Sequence, residues 1–200
     1  MIKKLLNPFN YIAGGKSFFI GIAVIFATSF AGYLTNTHFP DIISVKTGLE
    51  VKLHFVIAQN IINWLSISLL LYIASLIFSK SSVRITDIFG TQALARAPYL
   101  IAAILNFSNS ITQLGEHIMW KYLNKGEPAE ISALDISLAV IFIIITVLLT
   151  VWMVTLMYNS FRVSSNIKGL KSGIIFTVVF IISVVLSTWL NFALFNQIYL

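Results

Sequence analysis

Phe142-Ile-Ile-Ile-Thr-Val-Leu-Leu149 is an apolar block broken by one hydroxyl, with no alternation of polar and apolar positions. It lies inside residues 136–161, a stretch without Asp, Glu, Lys, Arg or His. A strand of a membrane barrel alternates apolar with polar over roughly ten residues. A helix crosses the hydrocarbon core with about 20 mostly apolar ones. The block therefore reads as part of a transmembrane helix. The same criterion finds charge-free stretches at 17–37, 55–79, 97–115 and 172–200, the last supplying a span over 172–195. The expected fold is all-α: a polytopic membrane helical bundle with five transmembrane helices, forming a single domain over residues 1–200. The third span is the least apolar.

Composition agrees. Of 200 residues, 58% are hydrophobic and only 10% charged, with a mean hydropathy of +0.92. Soluble domains carry about 25% charged residues, and so few charges could not cover the surface of a soluble globule. Disordered chains are poorer in apolar residues. The absence of cysteine excludes disulfides, thiolate zinc sites, cysteine nucleophiles and palmitoyl anchors. A net charge of +6 and a pI near 9.6 invite comparison with nucleic-acid binders. The basic residues are scattered between apolar runs and form no stripe, so no nucleic-acid partner is expected.

Those basic residues instead set an orientation. Lys3, Lys4 and Lys16 precede the first span; Lys80, Arg84 and Arg96 lie in the second connection, and Arg162, Lys168 and Lys171 in the fourth. The opposite side carries only Lys46, Lys52, Lys121 and Lys125. The N-terminus is expected in the cytoplasm and the C-terminus outside. Among the acids, Asp87 alone falls on the inner side. The first span follows sixteen residues containing Pro8 and Gly14-Gly15, long for the n-region of a signal peptide, so it is expected to be retained. A bacterial inner membrane is the expected location.

Several local features stand out. Residues 1–12 are basic and apolar, suited to the headgroup level. Ala23, Ala27 and Ala31 make a small-residue stripe expected to pack inside the bundle, and Ser165, Gly169 and Gly173 make another at the start of the fifth span. Pro40, in His38-Phe-Pro-Asp, stops the first helix and opens an outer loop. Gln59 and Asn63-Trp64 sit inside the second span. In residues 79–96, Ile85, Ile88 and Phe89 share one face and Arg84, Asp87 and Thr91 another, which predicts a short interfacial helix before Pro98 starts the third span. Ser132 and Asp135 have capping-box spacing, with Asp in place of Glu or Gln.

Chemistry has few places to hide. Asn106, Ser110, Gln113 and His117 fall at helical spacing, with Asn109 beside them. A polar face inside a membrane protein turns to the bundle interior. It serves either interhelical hydrogen bonding, worth about 0.6 kcal/mol per bond, or a polar pathway. His38, His54 and His117 lack ligand spacing, so no metal is expected and the histidines read as exposed or interfacial. Asp87 among Arg84, Arg96 and Arg162 reads as an ion-pair hub or a partner-binding surface. No Gly-x-Ser-x-Gly elbow or phosphate loop occurs. No catalytic residue and no cofactor are expected.

Two segments carry a family likeness: Asp87-Ile-Phe-Gly-Thr-Gln-Ala-Leu-Ala-Arg-Ala-Pro-Tyr-Leu100, and Tyr158-Asn-Ser-Phe-Arg-Val-Ser-Ser-Asn-Ile-Lys-Gly-Leu-Lys171. In these, and in its five closely spaced spans, the chain resembles the Yip-type (Yip domain, Rab-GTPase-interacting) integral membrane proteins. The resemblance implies a non-enzymatic role as an interaction or organising component of the membrane, and supplies no catalytic residue. Eukaryotic members work through a long cytosolic N-terminal region. The sixteen acid-free residues here argue against Rab-type GTPase binding and for a bacterial relative. The expected partners are the lipid bilayer, other membrane proteins or a second copy of the chain. The alternative function is a small transporter or channel subunit using the polar face of the third span.

Overall fold

Lipid-facing backbone must satisfy its own hydrogen bonds, so a chain this apolar can cross a bilayer only as helices or a closed barrel. The computed structural model, which describes residues 6–199 and side chains as far as Gln197, takes the first course. In chain order the helices are α1 (Gly14–Leu34), α2 (Leu53–Phe78), α3 (Ile85–Ala95), α4 (Pro98–Leu105), α5 (Ser110–Leu123), α6 (Ala133–Ser165) and α7 (Leu170–Tyr199). Two single 3-10 turns, Pro8–Asn10 and Asn106–Ser108, complete the helical parts. Between α1 and α2 a small antiparallel hairpin pairs β1 (Thr37–His38) with β2 (Lys46–Thr47), Thr37 opposite Thr47 and His38 opposite Lys46. Residues 1–5 of the headgroup-level segment expected over residues 1–12, Lys3 and Lys4 among them, lie outside the described residues.

Five segments are long and apolar enough to cross a membrane: Gly14–Leu34, Leu53–Phe78, Ile85–Ser108, Ala133–Ser165 and Leu170–Gln197. The third differs from the sequence reading. It begins at Ile85, not at residue 97, and ends at Ser108, not at residue 115. The expected interfacial helix is its first half. Counting charge-free residues missed this because Arg96 interrupts the count from inside the span. Pro98, at the start of α4, lacks the N–H that would continue the α3 ladder, so the span jogs at Arg96–Ala97 and resumes.

α2 and the α3–α4 span form the centre. α1 packs on both, α6 covers α3 and α4, and α7 lies along α2. The closest approach is between α1 and α3. A Cβ on Gly21 would sit 2.5 Å from the Ala93 methyl and 2.6 Å from the Leu94 backbone nitrogen. A Cβ on Gly90 would sit 2.7 Å from the backbone nitrogen of Phe18. Each glycine thus lets the other helix's backbone come into contact, which is how helices associate where no hydrophobic effect separates them from lipid. The packed small residues of α1 are Ser17, Gly21, Thr28, Ser29, Ala31 and Gly32, so that of the expected stripe Ala31 is buried whereas Ala23 and Ala27 are exposed.

α6 starts as its sequence predicts: Ser132 Oγ accepts from the Asp135 N–H at 3.1 Å and donates to Asp135 Oδ2 at 2.6 Å. With 33 residues it is about 50 Å long at 1.5 Å per residue, more than the bilayer core requires. α5, with 14 residues, is too short to span. It packs along α6 and exposes Ile118, Met119, Tyr122 and Leu123, the form of a helix lying at an interface.

The α1–α3 contact can be tested with a single methyl group. Gly21→Ala places that methyl against fixed backbone and should cost about 1–3 kcal/mol, lowering the melting temperature by roughly 3–10 °C in detergent. Gly173→Ala, where a Cβ meets nothing within 4 Å, should leave it unchanged. Intrinsic tryptophan fluorescence on heating measures both.

Candidate functional site

α2 carries Gln59, Asn60 and Asn63, all buried at 2% exposure or less. Positions 59 and 63 are one turn apart and share a face. What lies against that face is the loop between β1 and β2. Gln59 Oε1 accepts from the Phe39 N–H at 3.1 Å. Asn63 Nδ2 donates to the carbonyls of Phe39 at 2.8 Å and Asp41 at 2.9 Å. Asn63 lies ten residues into α2, about 15 Å along its axis. The loop therefore enters the bundle, and its backbone is satisfied there by side chains, the condition on which non-helical backbone is tolerated at membrane depth. Phe39 and Ile42 are fully buried. The His38-Phe-Pro-Asp segment, which the sequence marks only as a helix stop, is a re-entrant plug.

Two further residues hold it. Tyr99 Oη donates to the Ile43 carbonyl, and its ring stacks on Phe39 with centroids 5.5 Å apart. Asn106 Nδ2 donates to Thr37 Oγ1 at 2.9 Å. Close approach of Thr37 is possible because Gly32 has no side chain; a Cβ there would lie 2.6 Å from the Thr37 carbonyl oxygen. Within the loop, Asp41 Oδ1 accepts from the N–H groups of Ile43 and Ser44, both at 2.8 Å.

Arg96 stands at the middle of the Ile85–Ser108 span and is 2% exposed. Its Nη2 donates to Asn60 Oδ1 at 3.4 Å, its guanidinium lies 5.7 Å from the Tyr99 ring centroid, and Nη1 has no hydrogen-bond partner. Asn60 in turn donates to Ser29 Oγ at 3.1 Å, tying α1 to the same centre. Asn191 of α7 donates to Asn63 Oδ1 at 2.9 Å. A second polar clasp joins α3 to α6: Gln92 Nε2 donates to the Met157 carbonyl at 3.0 Å and to Ser160 Oγ at 3.1 Å, and Ser160 donates to Thr91 at 2.6 Å.

The residues singled out by sequence are distributed differently from expectation. Arg84, Asp87 and Arg162 stay together at the end where α3 begins and α6 finishes, with both arginines exposed and Asp87 half-buried. Arg96 is not with them; it is buried inside the bundle. Among the described residues no ion pair joins Asp87 to Arg84, Arg96 or Arg162, so the expected hub does not form. The polar face of the third span is also split. Asn109 adopts a left-handed conformation (φ 57°) and ends the span, so α5 sets off anew at Ser110. Asn106 and Ser110 are buried, whereas Asn109 and Gln113 are exposed. Gln59, Asn60, Asn63 and Tyr99, the residues that build the centre, were legible only as polar groups in an apolar span.

The histidines separate too. His54 is exposed, and His117 Nδ1 meets the Ala129 carbonyl at 2.6 Å. His38 is buried, contrary to expectation, and its Nδ1 has no partner. Burial, with Lys46 opposite it in the hairpin as the lesser cause, pushes His38 down to about 4. Among the described residues no three His, Asp or Glu side chains gather as a metal set. No family model, no curated protein and no solved structure matches the chain.

Two predictions follow from these partners. Asn63→Leu strips two loop carbonyls of their donor and should destabilise the protein by about 1–3 kcal/mol. Arg96→Met removes a charge with one weak hydrogen bond and an unpaired nitrogen, and should leave the melting temperature unchanged or raise it, since apolar replacements of buried charges are often neutral or stabilising. Thermal unfolding in detergent distinguishes the two; a large loss in Arg96→Met would make the guanidinium a structural tie.

His38 gives the fold a pH dependence. Because its pKa is depressed in the fold, the unfolded chain binds the extra proton. The stability that neutral His38 provides is complete above its ordinary value of 6.5 and is lost as pH falls towards about 4. Melting temperatures of wild type and His38→Phe should run parallel from pH 8 to 7 and diverge below, the wild type falling faster.

Proposed function

We infer that this chain is a non-enzymatic five-span membrane protein of the Yip type, acting as an interaction or organising component within the bilayer. The observation that carries this reading is how the interior polar groups are used. Gln59, Asn60, Asn63, Gln92, Tyr99 and Asn106 hydrogen-bond loop carbonyls or neighbouring helices. They hold the bundle together and do not line a through-going path. A transporter using the third span needs its polar face to be continuous, and that face is interrupted at Asn109 with Gln113 outside the bundle.

What remains available for partners is the exterior. The most apolar windows of α6 and α7 are only 17% and 22% buried, leaving wide helical faces such as Ile144, Leu148 and Val151, and Ile181, Val185 and Trp189. Exposed Arg84 and Arg162 mark one end of the bundle. With Arg96 counted inside the span, Lys3, Lys4, Lys16, Lys80, Arg84, Arg162, Lys168 and Lys171 still outnumber Lys46, Lys52, Lys121 and Lys125 two to one. That balance supports a cytoplasmic N-terminus, and a bacterial inner membrane is the setting proposed.

In-cell crosslinking tests the role. Photoreactive residues at positions 84, 162, 144 and 185 should each be well tolerated, since all four native side chains are exposed. The expected result is a reproducible protein adduct, with another membrane protein or a second copy of this chain, from at least one of them. Adducts with lipid alone at all four positions would overturn the reading.

A further inference from the structure

The connection from α6 to α7 meets the end of α2 and leaves a pocket of about 410 Å³ between them. Phe78 closes the α2 span and Leu170 opens that of α7, so the pocket lies where two spans leave the hydrocarbon, at headgroup depth. The Ser79 hydroxyl donates to the Ser165 carbonyl at 2.7 Å and ties the two rims together. Ile174 and Val178 continue the Lys171 face of α7 towards the bilayer centre, and both are more than half exposed.

The charge of the lining is of one sign. Lys80, Lys168 and Lys171 line the pocket with no Asp or Glu, and among the described residues no carboxylate pairs with any of the three. Lys171 is held in place: its Nζ lies 5.4 Å from the Phe78 ring centroid and donates to the Phe78 carbonyl at 3.5 Å, which leaves two of its three donors free. The first turn of α7 opens at the same place and holds no acid. A helix N-terminus carries about half a positive charge, so three ammonium groups and a positive helix end repel one another here. An anion relieves that repulsion.

Depth selects the carrier of the anion. A phosphate on a diacyl lipid reaches the pocket while an acyl chain follows the Ile174–Val178 face, for which a soluble anion has no use. The lack of a carboxylate separates the lipid classes. The ammonium of a zwitterionic headgroup would lie among lysines with no counter-charge from the lining, whereas an anionic headgroup brings no cation.

We propose that this pocket binds the phosphate of an anionic phospholipid, of the phosphatidylglycerol class, between Lys80, Lys168 and Lys171, with an acyl chain along Ile174 and Val178. The site is separate from the organising role above and holds for either orientation of the chain.

The test uses the full chain in phosphatidylcholine nanodiscs containing a small fraction of phosphatidylglycerol with a photoreactive group in one acyl chain. Labelling should map to residues 74–78 and 171–178. Excess dioleoylphosphatidylglycerol should suppress it, while dioleoylphosphatidylethanolamine should compete at least about fivefold less well, the scale of one charge at the membrane surface. Lys80→Gln and Lys168→Gln, which break no hydrogen bond, should each lower labelling by a similar factor in proteins that melt normally. Lys121→Gln/Lys125→Gln removes as much charge as the Lys80→Gln/Lys168→Gln pair, but at the other end of the bundle, and should leave labelling unchanged. Glycerol 3-phosphate, a phosphate without acyl chains, should not compete. Equal competition by phosphatidylethanolamine, or labelling spread evenly over the spans, would overturn the proposal. An equal loss in Lys121→Gln/Lys125→Gln would overturn it by reducing the effect to bulk attraction. Suppression by glycerol 3-phosphate as effective as that by the lipid would do so by making the ligand a soluble phosphate.

Discussion

The grip of Gln59 and Asn63 on Phe39 is the constraint from which the rest of the structure follows. A loop that enters a bilayer brings unpaired N–H and carbonyl groups with it, and hydrocarbon offers them nothing. Here one turn of α2 supplies an acceptor and a donor for the same residue. Once Phe39 is fixed, its ring meets Tyr99, Tyr99 reaches the Ile43 carbonyl, and Asn106 reaches Thr37. Asn63 also accepts from Asn191, so the helix at the far side of α2 is registered by the same side chain. Four elements thus take their positions from two carboxamides.

Arg96 fits this centre uneasily. A charge at the middle of a span costs about 2.5–3.5 kcal/mol even on insertion scales. It is met here by one long hydrogen bond and an aromatic face. The carboxamide of Asn60 and the face of Tyr99 are neutral partners, and neither cancels a full charge.

The architecture was legible because span number depends on the bulk solvent preference of about 20 residues at a time, a signal that no single contact can reverse. Ser132 and Asp135 were legible for the opposite reason, since a cap is made entirely by neighbours in sequence. The third span was misplaced because a buried Arg96 and a terminal Asp87 look the same as loop charges when counted. The candidate polar face was split because helical spacing assumes an unbroken helix, and the left-handed Asn109 is a choice the chain makes in three dimensions. The plug was invisible for a related reason. Gln59 and Asn63 advertise a polar need, but their partners lie 20 and 24 residues away in backbone atoms that carry no sequence signal.

The two ends of the bundle are held by different forces. Towards the start of α1, Gly21 and Gly90 let backbones touch, and dispersion over that contact does the joining. Towards the end of α1, Gly32 admits the loop instead, and from there hydrogen bonds replace backbone contact between helices. A loop is bulkier and less regular than a helix, so it cannot fill the space between α1 and α6 as α3 does lower down. The gap beside Asn106 and Thr146 is the geometric remainder of that substitution. Part of its lining is a consequence of the same plug, because Asn106 is held at its edge by the bond from its amide nitrogen to Thr37.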